Sequence, residues 1–106
     1  MAIAVAVCLS PAVAFAGTDT LNIAGATVEI DASDTIVNRQ DIAANNVTLT
    51  NNGKINYTGG QAIRINSAYT GITINNNADA EITATTAVGH NYAIKAESQT
   101  NLTITN

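Results

Sequence analysis

The sequence predicts an all-β fold, a parallel β-helix (solenoid) of about three coils with about three strands in each, and three observations lead there. Val47-Thr-Leu-Thr-Asn51, Ile72-Thr-Ile-Asn-Asn76 and Leu102-Thr-Ile-Thr-Asn106 are one pattern: two apolar residues around a Thr, then an Asn four places after the first. Its starts lie 25 and 30 residues apart, and an internal period in that range marks a repeat architecture. Between these starts two further short segments recur in fixed order, Lys54-Ile-Asn-Tyr57 then Ala62-Ile-Arg-Ile65, and Glu81-Ile-Thr-Ala84 then Ala93-Ile-Lys-Ala96. Within the segments apolar and polar residues alternate, as Val47/Leu49 against Thr48/Thr50 and Ile63/Ile65 against Arg64. Successive side chains on a strand point to opposite faces, so each strand has one dry face and one wet face. A leucine-rich repeat would offer one strand and a helical return per repeat; here there are three strands and no amphipathic helix.

Taken in order, residues 1–16 differ in composition from the rest. Ala2 to Leu9 is an apolar run, Pro11 interrupts it, and Ala14-Phe15-Ala16 is the small-x-small site that a signal peptidase cuts, with Ala14 and Ala16 as the recognised positions. The run is shorter than the roughly 20 residues a membrane-spanning helix needs, and the competing reading is a short buried helix. No Lys or Arg precedes it, so the translation start is expected upstream or the reading frame is truncated. Cleavage after Ala16 removes Cys8, the single cysteine. Disulfides, on which small exported domains commonly rely, then cannot hold residues 17–106 together, and stacked repeats must do so.

From Leu21 a less regular first coil is expected. Leu21-Asn-Ile23, Val28-Glu-Ile30 and Ile36-Val-Asn38 fall 26, 27 and 27 residues before Val47, Ile55 and Ile63. On that alignment Gly25 stands where an asparagine stands in later coils, and Arg39 to Asn46 is a long polar connection. The clear coils follow, matched at Ile55 and Ile82 and at Ile63 and Ile94, and the chain reaches Asn106 after the first strand of a fourth. Such a strand would leave an open edge, so the sequence is expected to begin a longer protein. A lone coil buries too few aliphatic side chains to offset the ordering of its backbone; coils must lie on one another. Asn51, Asn76 and Asn106 then fall at equivalent positions and can bond amide to amide in a structural ladder.

Composition narrows the function classes. The chain is 46% hydrophobic, 11% charged and 4% aromatic, which suits strands with Thr/Asn-rich surfaces and excludes disorder. With net charge −4 and no basic cluster there is no electrostatic footprint for nucleic acid. Candidate chemistry is sparse. His90, the only histidine, lies in a turn, and no serine or cysteine sits in a nucleophile elbow. Asp31, Asp34 and Asp41 are the nearest approach to a carboxylate cluster, at a spacing unlike a calcium loop. Arg64 and Lys95 are expected to form a two-member basic stripe on the third strand. Asn46-Val-Thr48, Asn56-Tyr-Thr58 and Asn101-Leu-Thr103 fit the glycosylation sequon, here read as strand composition. No cofactor, metal or catalytic residue is expected.

The leader followed at once by coils such as Gly71-Ile-Thr-Ile-Asn-Asn-Asn77 and Asn101-Leu-Thr-Ile-Thr-Asn106, with third strands Gly59-Gly-Gln-Ala-Ile-Arg-Ile-Asn66 and Gly89-His-Asn-Tyr-Ala-Ile-Lys-Ala-Glu97, resembles the start of an autotransporter passenger domain of the type V secretion pathway. The resemblance covers Leu21 to Asn106. It implies a long right-handed β-helix, exported through the periplasm to the cell surface or extracellular space of a Gram-negative bacterium by a C-terminal translocator barrel. It implies an adhesin or structural stalk, with a host-cell surface, a glycan or sister molecules as partners. The alternative is a secreted β-helical polysaccharide-degrading enzyme of the lyase or hydrolase class.

Overall fold

Among the described residues the regular elements are strands, and all of their pairings are parallel. A computed structural model describes residues 17–106, apart from 87, 88 and 90, and the backbone of residues 4–6. In chain order the strands are β1 (Ala4–Ala6), β2 (Thr18–Leu21), β3 (Thr27–Ile30), β4 (Thr35–Ile36), β5 (Arg39–Ile42), β6 (Thr48–Asn51), β7 (Lys54–Tyr57), β8 (Gln61–Ile65), β9 (Thr73–Asn76), β10 (Glu81–Ala84), β11 (Tyr92–Ala96) and β12 (Thr103–Thr105). They form a five-stranded sheet ordered β1-β3-β6-β9-β12, a three-stranded sheet ordered β10-β7-β4 and a four-stranded sheet ordered β11-β8-β5-β2. Parallel neighbours need a long connection between them. From β3 onward that connection is a passage through the other two sheets, five-stranded to three-stranded to four-stranded, before the chain returns one strand along.

Like residues meet like across most of these pairings because the strands repeat the same alternation. Leu49 pairs with Ile74 and Ile74 with Ile104 in the five-stranded sheet. Ile36, Ile55 and Ile82 are successive partners in the three-stranded sheet, and Ile63 and Ile94 pair in the four-stranded one. The inward residues of all three sheets make a single core in which Ile30, Ile36, Leu49, Ile55, Ile63, Ile65, Ile72 and Ile74 are fully buried. Burial falls off toward the last strands, where Ile82, Ile94 and Leu102 are half-buried and Ile104 is 47% exposed.

The expected first coil is corrected by one strand. Val28 pairs with Leu49 in the five-stranded sheet, not with Ile55; Ile36 pairs with Ile55, not with Ile63. The partner of Ile63 is Gln40, within Arg39–Ile42, which is strand β5 and not a polar connection. Leu21 pairs with Ile42 in the four-stranded sheet, one strand before the position first assigned. The cause is the length of the passage. Thr27 and Thr48 are partners, so this circuit is shorter than the 25-residue offset between Asn51 and Asn76, and only residues 37–38 separate β4 from β5. An assumed period near 27 therefore overshoots.

The same shift moves Gly25 out of the asparagine column, where Ile30 stands instead as the partner of Asn51. Gly25 belongs to another column. The residues two places before β3, β6, β9 and β12 are Gly25, Asn46, Gly71 and Asn101, and all four have left-handed backbone, with φ of 76°, 58°, 71° and 55°. Glycine adopts that conformation without a Cβ penalty, and asparagine tolerates it better than other residues. The bend turns the chain from the four-stranded into the five-stranded sheet. It is held by a stack of backbone bonds, Gly25 N–H to Asn45 O, Asn46 N–H to Thr70 O and Gly71 N–H to Thr100 O, at 3.0, 2.9 and 3.2 Å.

Candidate functional site

The polar groups of this protein are arranged in rows, and the first row is internal. Asn51 and Asn76 end their strands two places after an inward-facing aliphatic residue, so their amides point toward the interior at the corner between the five- and three-stranded sheets, and exposed Asn106 follows β12 in the same column. Asn51 Nδ2 donates to Asn76 Oδ1 at 2.9 Å, and Asn76 Nδ2 donates to Asn106 Oδ1 at 2.8 Å. Their remaining groups serve the turn. Asn51 Nδ2 also donates to the Glu81 carbonyl at 3.0 Å, Asn51 Oδ1 accepts from the Gly53 N–H at 3.1 Å, and Asn76 Nδ2 donates to the Ala80 carbonyl at 3.3 Å. Asn51 is fully buried, so these bonds satisfy groups that water cannot reach. A parallel outer row runs from Asn77 Nδ2 to Asn52 Oδ1 at 2.6 Å and from Asn52 Nδ2 to Glu29 Oε1 at 3.0 Å.

The second row crosses the outer face of the four-stranded sheet. Thr20, Asp41, Arg64 and Lys95 are successive register partners there, so the pairing of Arg64 with Lys95 extends to an acid. That acid alters the expected basic stripe. Arg64 Nε and Nη2 donate to Asp41 Oδ1 and Oδ2 at 3.0 and 2.6 Å, a two-point geometry that holds both side chains planar. Arg39 Nε donates to the same Oδ1 at 2.9 Å, and its guanidinium lies 5.9 Å from the centre of the Tyr57 ring. Lys95 Nζ is 2.9 Å from Glu97. The row is thus alternating and largely neutralised. Beside it a shallow recess of about 120 Å³ is lined by Thr20, Asp41, Arg64, Asn66, Ser67 and Tyr69 among others.

The structure does not gather the three aspartates. Asp31 and Asp34 flank one turn between β3 and β4, closed by the Asp34 N–H on the Asp31 carbonyl at 2.9 Å, whereas Asp41 stands on β5 within its arginine pair. Gly53 packs directly on that turn, where an added Cβ would collide with the carbonyl oxygens of Asp31 and Asp34. Among the described residues no three His, Cys, Asp or Glu side chains converge as a metal site. Asn46 and Asn101 of the sequons are the exposed left-handed residues already described, and Asn56 lies on β7 in hydrogen-bond contact with Thr83 Oγ1. Ala14, Ala16, Cys8 and His90 lie outside the described residues. Of residues 1–16 only the backbone of β1 is described, paired with Thr27–Glu29 at the edge of the five-stranded sheet.

Sequence reasoning missed one polar group entirely. Asp19, Asn38 and Gln40 form an internal cluster at the end of the four-stranded sheet, where Gln40 is fully buried and sits in register between Asp19 and Ile63. The available signal was the alternation Arg39-Gln-Asp-Ile42, which reads as a strand once a polar residue is allowed inside. No protein-family model matches the chain, and no curated protein or solved structure matches it.

Proposed function

We propose that the three sheets wind as a right-handed parallel β-helix, and that the chain is part of an exported, surface-displayed passenger acting as an adhesin or structural stalk in cell attachment or aggregation. One observation carries the reading: each strand from β3 onward pairs in parallel with its counterpart one circuit away, and from β6 onward aliphatic lies on aliphatic and amide on amide. Such stacking extends by adding circuits and yields a stiff body with flat polar sides. The hand follows from the strong preference of parallel crossovers for the right-handed turn. The outer positions Thr48, Thr73 and Thr103, and beside them Thr50, Asn75 and Thr105, offer rows of hydroxyls and amides suited to many weak contacts with glycans, host surfaces or sister molecules.

The test uses the whole reading frame to which this sequence belongs, displayed on a Gram-negative host together with its own downstream segment, where a translocator barrel is expected. Cells carrying it should aggregate or attach to epithelial or glycan-coated surfaces, and the displayed protein should leave acidic polysaccharide intact. Cleavage of pectin-like polymers in the presence of calcium, without attachment, would replace this proposal with the polysaccharide-degrading alternative.

A further inference from the structure

We infer that Gly17 is the first residue of the mature chain and that its α-ammonium group is seated on Asn38, which Asp19 and Gln40 hold in a polar cluster. This rests on the export reading above, through the leader cleavage it implies. Two independent lines meet at one peptide bond. The Ala14-Phe15-Ala16 site places cleavage between Ala16 and Gly17, and Gly17 is held by the fold at both of its backbone groups. Its N–H donates to Asn38 Oδ1 at 2.9 Å, and its carbonyl accepts from the Arg39 N–H at 2.9 Å. Thr18 to Leu21 then run in register with Arg39 to Ile42.

The socket holds more acceptors than a peptide N–H can use. Asn38 Nδ2 donates to Asp19 Oδ1 at 3.1 Å, so the Asn38 amide links Gly17 directly to a carboxylate. Gln40 Nε2 donates to Asp19 Oδ2 at 2.7 Å and to the Asn38 carbonyl at 3.2 Å. Gln40 is fully buried, yet its Oε1 has no hydrogen-bond partner among the described residues. A buried acceptor without a donor costs about 1–3 kcal/mol, which makes an unfilled amide carbonyl here a sign of a missing donor. Hydrolysis of the Ala16–Gly17 bond adds donors beside this cluster, at the nitrogen that Asn38 already holds. The C–N bond breaks, the water oxygen joins the Ala16 carbonyl carbon to give a carboxylate, and the released amine takes up the protons of that water as an ammonium. One of its three protons keeps the bond to Asn38, now charge-assisted, and two more become available to the cluster. The approach is close: a Cβ on Gly17 would lie 3.2 Å from Asn38 Oδ1, so glycine fits this position best.

The charges around the socket favour a cation. Asp19 shares the inward side of β2 with the position opposite buried Gln40. The other charged groups of the neighbouring strand, Arg39 and Asp41, alternate to the outer face, where they bond to each other. Neither opposes an ammonium inside. An α-amino group so placed titrates above its ordinary range of about 7.7–8.0. Its contribution to stability is complete below that range and is lost as the pH rises through the raised value.

The experiment expresses residues 1–106 in full in a Gram-negative host, recovers the exported protein, measures its intact mass and follows the Gly17 α-amino titration by NMR. The expected product begins at Gly17, with a midpoint above the ordinary α-amino range. Asn38→Ala and Asp19→Asn should each return the midpoint toward the ordinary value. Selective acetylation of the wild-type α-amino group should lower the unfolding temperature at pH 6, a readout that survives if either variant folds poorly. A chain that stays uncut, or is cut elsewhere, overturns both the socket and the leader reading. A chain that begins at Gly17 but titrates ordinarily, and is indifferent to acetylation, overturns the socket alone and leaves export standing.

Discussion

Removing the amide of Asn51 should cost the fold about 3–5 kcal/mol, and the reasoning behind that figure is open to direct attack. Asn51→Ala deletes two bonds donated by Nδ2, to Asn76 Oδ1 and to the Glu81 carbonyl, each contributing about 1 kcal/mol net. It also strips the Gly53 N–H of its acceptor in a buried turn, adding about 1–3 kcal/mol. At the other end of the column Asn106 is exposed and takes a single bond from Asn76, so Asn106→Ala should cost under about 1 kcal/mol. Urea unfolding followed by far-UV circular dichroism measures both changes on the full chain. With a slope of about 2 kcal/mol per molar urea, the Asn51 variant should shift its midpoint by about 1.5–2.5 M. The pair Asn51→Ala and Asn76→Ala should be non-additive by about 1 kcal/mol in a double-mutant cycle, since each removes the same amide contact. Equal costs at positions 51 and 106, or strict additivity between 51 and 76, would show that the amides act singly and that the column is not an energetic unit.

Three further outcomes follow from the core, the corner and the outer face. Ile55→Ala empties a fully buried site between Ile36 and Ile82 and should destabilise by about 2–5 kcal/mol, whereas Ile104→Ala, at 47% exposure, should cost less than about 1; thermal unfolding of the two variants separates them. Gly71→Ala forces an L residue into left-handed backbone and drives its Cβ into Asn46 Oδ1, at a cost of about 2 kcal/mol. Asn46→Gly at the equivalent bend should change stability by less than about 0.5 kcal/mol, and a larger loss there would mean the asparagine is needed for more than its backbone. Asp41→Asn leaves Arg39 and Arg64 without their shared carboxylate and should cost about 1 kcal/mol at low salt, shrinking in 0.5 M salt by screening over about 4 Å; a loss that ignores salt would point to packing instead.

The parts of the fold legible in the sequence were those where chemistry repeats at the same place in each circuit. From Val47 onward Leu49, Ile74 and Ile104 are offset as the motif spacing says, and Ile55–Ile82 and Ile63–Ile94 are true register partners. Before Val47 the reading slipped because two inward positions are polar. Asp19 and Gln40 stand where later circuits have Ile63 and Ile94, so the third strand of that circuit did not look like a strand. Alternation detects a buried face only when that face is apolar. The left-handed column was equally hidden, since Gly25, Asn46, Gly71 and Asn101 share a backbone angle and not a side chain. Their φ values become one feature only after the strands are laid side by side. The arginine–aspartate pair on the outer face needed the same register, because Asp41 and Arg64 are 23 residues apart.

The unequal corners have a bearing on how such a chain can change over time. Entry into the five-stranded sheet passes each time through the same left-handed bend, although the stretch leading to it varies, residues 43–45, 66–70 and 97–100, with the register kept. Passage from the three-stranded to the four-stranded sheet is freer: residues 37–38, 58–60 and 85–91 make the three crossings, with the register on both sides unchanged. New sequence is therefore tolerated most widely along one flank of the molecule, where loops can lengthen and diversify, while the left-handed bend itself recurs at the same place before each strand of the five-stranded sheet.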